Sequence, residues 1–358
     1  MRASSTTMVV TMAHFACQVH AEPRTTLPLK FKFGDCITQR LVFSNSRVLI
    51  LNGADSKRFT AERSEFDFTL DYGTADFSGT AVQLNLRKSA RPETDISLGA
   101  RMSTTRYLKY GRITARFNPA VDPGVVSTLV TWSDFQNEIR GTKEVIQDEI
   151  DWEVVGKDPT RPEYNVFTGK ANQMERGIHG GPVDGRITSN VPHDFTIDWR
   201  SDRIEWGVDG KVMKTLLKSE SKAALPGNLK PGEAWFPETP SRVQISVWDG
   251  SFGAQRQWAG GPIPWSDRTQ ISVPFEWLQI QCYDDQDRPV GRWAADGSGP
   301  SAENGTDSSK KTLVTGVRGR GSPNGQRYSS LPTPTSTLLY LWTPVMAIMG
   351  MTLLLFPL

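Results

Sequence analysis

Histidine is scarce in this chain, with four residues in all. His14 and His20 fall near the start, and His179 and His193 stand alone far downstream. Two isolated histidines argue against a His-rich metal site, and neither lies near a G-x-S-x-G nucleophile elbow. Cysteine is as sparse, with three residues, and neither a C-x-x-C pair nor a Cys/His spacing points to zinc. Charge of one sign is also missing. The 41 basic and 39 acidic residues leave a formal charge of +2, which gives no reason to invoke nucleic acid. Amphipathic helical patterns of any length are few. What remains for acid/base chemistry is carboxylates, with no metal or cofactor expected.

The two ends read as processing signals. Arg2 supplies positive charge, Met8 to Cys17 form a short, mostly apolar run, and Val19-His20-Ala21 has the small-x-small form that signal peptidase cuts. Residues 1–21 are therefore expected to be a secretory signal. Cleavage after Ala21 would remove Cys17 and leave Cys36 and Cys282. An even pair in an oxidising compartment predicts a disulfide, with two buried free thiols as the alternative. At the other end Leu338 to Leu358 carries no charge and is long enough to span a bilayer. Nothing basic follows it, and the polar stretch Ser329 to Thr337 precedes it, which is the order of a GPI-attachment signal. A retained transmembrane helix is the alternative. Gly321, Ser322 and Asn324 are candidate attachment residues. Residues 296–337 are rich in Gly, Ser, Thr, Lys and Arg and read as a flexible stalk. The one N-glycosylation sequon, at Asn304, lies there.

Residues 22–295 carry strand signals. Val82, Leu84 and Leu86 alternate with Gln83 and Asn85, and Ile113, Ala115 and Phe117 alternate with Arg112, Thr114 and Arg116. Phe195, Ile197 and Trp199 follow the same rule, as do Ile204, Trp206 and Val208. Period two places one row of side chains in a core and the other toward water. Asp209-Gly210 then marks a tight hairpin. Many short strands between turns predict an all-β sandwich or jelly roll.

The segment Asp148-Glu149-Ile150-Asp151-Trp152-Glu153-Val154-Val155-Gly156 is the most informative. On a strand, Ile150, Trp152 and Val154 share one face, and Glu149, Asp151 and Glu153 share the other. Three like charges in a row are unfavourable. They make sense where one carboxyl keeps a proton, which glycoside chemistry requires. A solvated acidic edge strand is the plainer alternative.

This stretch resembles the active-site strand of glycoside hydrolase family 16 in its E-x-D-x-E form. Tyr110-Gly111-Arg112, Gly124-Val125-Val126-Ser127 and His193 to Gly210 resemble neighbouring strands of that family. Pro240 to Gly250 and Gln257-Trp258-Ala259-Gly260-Gly261 resemble the fungal cell-wall Crh-type transglycosylases. The resemblance covers roughly Tyr107 to Cys282. It implies a concanavalin-like β-sandwich with a concave glycan-binding cleft, and a retaining mechanism. Glu149 then matches the nucleophile, Asp151 the assisting carboxylate and Glu153 the general acid/base. It further implies transfer of chitin chains onto β-glucan, which together with the tail pattern gives the expectation of a GPI-anchored protein at the cell wall and the outer face of the plasma membrane. Phe135 to Gln147 interrupt the family's spacing, either as a loop at the cleft mouth or as an error in the gene model.

Aromatic residues divide by phase. Trp152, Trp199 and Trp206 sit on apolar faces and are expected in the core. Trp248 is out of phase with Val243, Ile245 and Val247, so it faces the other way, where a sugar could stack. Trp258 is a second platform candidate in a loop-like segment, with Trp132, Tyr164 and Trp265 behind it. Asn165 and Gln173 could donate hydrogen bonds to sugar hydroxyls. Three readings follow: a transglycosylase, an endo-β-glucanase, and a lectin-like wall protein without chemistry. The full acidic triplet weighs against the third.

Overall fold

Alternation of apolar and polar residues becomes strand after strand. The computed structural model describes residues 34–50, 66–133, 148–168, 177–183, 185–221, 236–295 and 297–301. In chain order the strands are β1 (Cys36–Ile37), β2 (Gln39–Val42), β3 (Val48–Ile50), β4 (Phe68–Tyr72), β5 (Thr74–Ser78), β6 (Ala81–Arg87), β7 (Ala100–Leu108), β8 (Gly111–Phe117), β9 (Val125–Trp132) and β10 (Glu149–Val155). They continue with β11 (Glu163–Phe167), β12 (Gly177–Pro182), β13 (His193–Trp199), β14 (Arg203–Val208), β15 (Lys211–Leu217), β16 (Ser241–Asp249), β17 (Gln270–Tyr283), β18 (Pro289–Val290) and β19 (Arg292–Trp293). A single short helix, α1 (Gln255–Ala259), interrupts them among the described residues, besides one 3-10 turn at Asn45–Arg47.

The strands form two large sheets. The eight-stranded sheet has the order β12-β11-β10-β9-β16-β7-β4-β3, and the nine-stranded sheet runs β15-β14-β13-β8-β17-β6-β5, with β2 and β18 also paired to β17. All pairings within these sheets are antiparallel except β3 with β4. This is the all-β sandwich that the alternation predicts.

The core lies between the sheets. Ile150, Trp152 and Val154 of β10 are wholly buried in it, as are Phe117, Phe195 and Phe275 of the facing sheet. Phe117 stacks on Phe195 at 4.4 Å and on Phe275 at 4.8 Å, and Trp152 meets Phe195 edge-on at 5.9 Å. Such pairs add about 0.5–1.5 kcal/mol each beyond the area they bury. Trp199 and Trp206 are fully buried too, as their phase predicts.

Period two under-describes two central strands. β9 and β16 are buried on both faces, so Thr128, Gln244 and Ser246 are enclosed along with the apolar row. The buried hydroxyls of Thr128 and Ser246 answer each other at 2.6 Å, which offsets the cost of leaving water.

Turn chemistry sets the registers. Asp209 and Gly210 both take positive φ, 50° and 78°, which is the two-residue hairpin geometry that joins β14 to β15. Gly156, just after β10, has no room for a side chain: a Cβ would lie 2.0 Å from the carbonyl oxygen of Asp122. The termini of the sandwich are closed together. β1 pairs with β19, and Cys36 is disulfide-bonded to Cys282 of β17 across 246 residues, with Cα atoms 6.0 Å apart.

Candidate active site

The exposed-phase row of β10 meets its neighbours in register, and cross-strand partners share a face. Glu149 lies between Trp132 of β9 and Phe167 of β11. Asp151 lies between Val130 and Asn165, and Glu153 between Thr128 and Glu163. The three carboxyls therefore occupy three different settings: aromatic flanks, an amide, and a second acid.

Two hydrogen bonds hold the strand backbone against the facing sheet. The indole N–H of Trp206 donates to the carbonyl of Asp151 at 2.9 Å, and that of Trp152 donates to the carbonyl of Thr196 at 2.9 Å. Asp148, just before β10, accepts the N–H groups of Glu238 (2.9 Å) and Thr239 (2.8 Å) through one oxygen. The start of β10 is thus fastened to the segment that leads into β16. Rigid support of this kind is what a reactive row of carboxyls needs.

The side chains are tied to one another. Asn165 donates its amide nitrogen to Asp151 at 2.8 Å and to Glu153 at 2.9 Å. One nitrogen reaches both, so the side chains converge although their Cα atoms are two residues apart along an extended strand. Asp151 is also hydrogen-bonded to Glu149. A bond between two carboxyls needs a proton, so the pair shares one.

Burial dominates the electrostatics. It pushes Glu149 well above the usual carboxylate range, helped by the charges of Asp151 and Glu153 and by the Asp151 hydrogen bond, and opposed by Arg101. It pushes Asp151 up to about 7, against the hydrogen bonds from Asn165 and Glu149. Glu153 is likewise held well above its ordinary value by burial, then by the charges of Asp151 and Glu163, against the Asn165 bond. Perturbations of this size on adjacent carboxyls mark sites built for proton transfer.

Arg101 is the cation that favours ionised Glu149. It is held by Asp71 at 3.0 Å, and Asp71 also accepts the hydroxyls of Ser103 (2.5 Å) and Thr69 (2.6 Å). Arg101 carries no motif signal. Only the pairing of β7 with β16 brings it to this face.

The aromatic expectations divide. Trp248 faces the site side, as its phase predicts, and stacks on Trp258 with ring centres 5.9 Å apart and planes 20° from parallel. Trp258 sits on α1 rather than in a loop, and its indole N–H donates to Glu163 at 2.8 Å. Tyr164 is a correction. It lies in phase with Trp152, is buried in the core and packs on Trp206 at 4.9 Å, away from the carboxyls. Trp265 is also a core residue. Asn165 reaches the site, but its amide nitrogen holds the two carboxyls rather than standing open to a sugar.

Glu163, like Arg101, is a site residue outside the sequence motifs. The signal existed, since Glu163, Asn165 and Phe167 alternate with Tyr164 and Val166. Gln173, Phe135 to Gln147, Asn304, the N-terminal signal and the hydrophobic tail lie outside the described residues. Among the described residues no group of three or more His, Cys, Asp or Glu is placed to hold a metal ion. A groove of about 330 Å³ lies elsewhere, on the outer face of the nine-stranded sheet, lined by Arg112, Asp198, Glu205 and Trp277 among others.

Comparison with known proteins follows from this geometry. The family model described as glycosyl hydrolases family 16 matches residues 62–270. Crh-like protein 2 of Aspergillus fumigatus is 33% identical over 198 residues, covering 52% of this chain and 41% of the relative. Crh-like protein UTR2 of Candida albicans is 33% identical over 187 residues, covering 51% of this chain and 36% of the relative. The matched region is thus about two-fifths of these relatives' own length. A solved structure described as an apo Crh5 transglycosylase aligns with a TM-score of 0.47 at 22% identity, covering 74% of this chain and 95% of that one.

Proposed function

This chain belongs to glycosyl hydrolase family 16, and from that premise we propose that it is a retaining transglycosylase of cell-wall β-linked polysaccharide, moving chitin chains onto β-glucan. The observation that carries the reading is the row Glu149, Asp151 and Glu153 on one face of β10, with Asn165 bridging the last two.

The chemistry balances in two steps. The Glu149 carboxylate attacks the anomeric carbon of the donor while the protonated Glu153 gives its proton to the departing sugar oxygen. The glycosidic bond breaks and an ester to Glu149 forms. Glu153, now a carboxylate, takes a proton from the acceptor hydroxyl, whose oxygen displaces Glu149 and leaves Glu153 protonated again. The proton shared by Glu149 and Asp151 must sit on Asp151 when Glu149 attacks. Arg101 favours that distribution because its charge stabilises ionised Glu149.

Transfer has to outcompete abundant water. An acceptor held in attack geometry can supply roughly 7–11 kcal/mol in favourable cases. The stacked pair Trp248 and Trp258 is the platform for that acceptor. We assign the rest of the chain as a signal over 1–21, a catalytic domain over 22–295, a stalk over 296–337 that carries the Asn304 sequon, and a GPI-attachment tail over 338–358. The protein then works outside the cell, anchored by lipid beside its wall substrates.

The test is purified enzyme with a chitin oligosaccharide donor and a fluorescent β-glucan acceptor. A larger fluorescent product is expected, and Trp248→Ala or Trp258→Ala should shift turnover toward hydrolysis. Shortened donor alone across a broad acceptor panel would make the protein an endo-glycanase.

A further inference from the structure

We propose that Glu163 is a positioning residue that couples the acceptor platform to the acid/base group: it fixes Trp258 by hydrogen bond and sets the charge that Glu153 faces. This rests on the transglycosylase reading and deepens it.

The geometry puts Glu163 between the two. It is the direct cross-strand partner of Glu153 in the β10–β11 register, so both side chains stand on one face. One of its oxygens accepts the Trp258 indole N–H at 2.8 Å, a contact across 95 residues of sequence. Trp258 in turn stacks on Trp248. A chain of three contacts therefore runs from the proton donor to both rings of the platform.

A directly opposed pair of acids is unfavourable in a sheet unless it serves a purpose. Here the negative charge of Glu163 makes Glu153 keep its proton to higher pH, which the first step needs, and makes Glu153 a stronger base, which the second step needs. The neighbours of Glu153 pull in opposite directions. Asp151 on its own strand and Glu163 on β11 oppose its ionisation, Asn165 on β11 favours it, and Thr128 on β9 is uncharged. Glu163 is itself lifted by burial, while the Trp258 bond, Lys157 and Arg161 favour its charged form. The Trp258 bond and the two cations hold that rise back without reversing it.

Two substitutions separate the two roles. Glu163→Gln is isosteric and keeps an oxygen for the Trp258 N–H but removes the charge. Glu163→Ala removes both. Carboxyl ¹³C NMR of the Glu-labelled full chain, with Glu153→Gln to identify the resonance, follows the protonation of Glu153 without needing turnover. The expected result is that Glu153 titrates at lower pH in Glu163→Gln than in the wild type, with the Trp258 indole N–H resonance little moved. In Glu163→Ala that resonance should move, and the apparent KM for the acceptor should rise roughly tenfold, the order of one aromatic contact, while donor hydrolysis changes less. An unmoved Glu153 titration in Glu163→Gln, or an unchanged acceptor KM in Glu163→Ala, would overturn the proposal. Absence of transfer by the wild type would instead count against the transglycosylase reading, and the titration would still decide the role of Glu163.

Discussion

At the residue scale the carboxyl row of β10 is costly to keep ionised in the folded state. Asp151 is 1% exposed and its carboxyl is pushed from 3.8 to about 7, mainly by burial. A carboxyl with a higher pKa folded than unfolded binds its proton more tightly in the native state. Its contribution favours folding at acid pH and is lost as pH rises from about 4 through about 7. Glu149 and Glu153 shift in the same direction. Asp151→Asn removes one of these buried ionisations and can still bond to Glu149 and Asn165. Its melting temperature should therefore exceed the wild type's at pH 8, by the equivalent of about 1–4 kcal/mol, and match it near pH 4. Its turnover should be lower throughout. A stability gap independent of pH would show that the substitution acts through packing instead.

At the element scale β10 works because it is clamped. Trp206→Phe keeps an aromatic ring but removes the indole donor to the carbonyl of Asp151 and leaves a cavity in the core, at a cost of about 1–3 kcal/mol for the bond and more for the lost packing. Urea unfolding should show that loss, and kcat should fall with it, since the bond sits directly behind the carboxyl row. Gly210→Ala is the comparison. It strains a turn at positive φ and should cost about 1 kcal/mol while leaving kcat unchanged. Equal effects of both on kcat would mean that general destabilisation, not the clamp, controls the rate. The strands concerned were legible in the sequence where period two was clean: β6, β8, β13 and β14 bury the residues that alternation selects. The Asp209-Gly210 hairpin was legible because its backbone demands those residues. The acidic row of β10 obeyed the same rule. Phase with Trp152, not aromatic character, decides the place of Tyr164 in the core, and the phase of Glu163 puts it with the carboxyl row. Arg101 and the Trp258 bond were not legible, because each is created by pairing of distant segments. Burial of both faces of β9 and β16 was not legible either, since the polar residues Thr128, Gln244 and Ser246 carry no signal for it.

At the scale of the whole molecule, the two ends of the sandwich are locked by the Cys36–Cys282 disulfide and the β1–β19 pair. The bond was readable from the expectation that Cys17 belongs to a signal, which leaves Cys36 and Cys282 as an even pair. Beyond the sandwich, the assigned stalk and tail predict that phosphatidylinositol-specific phospholipase releases the protein from membranes. Recovery of intact Leu338 to Leu358 from the mature protein would mean a membrane-spanning helix instead. In the proposed mechanism Glu149 forms the covalent link to the donor. The most direct check is to trap that link with an activated 2-fluoro glycoside and map the modified peptide by mass spectrometry. The sugar should be found as an ester on Glu149, and none should form in Glu149→Gln. An ester on Glu153 or Glu163, or turnover with inverted anomeric configuration and no ester at all, would refute the assignment of the carboxylates.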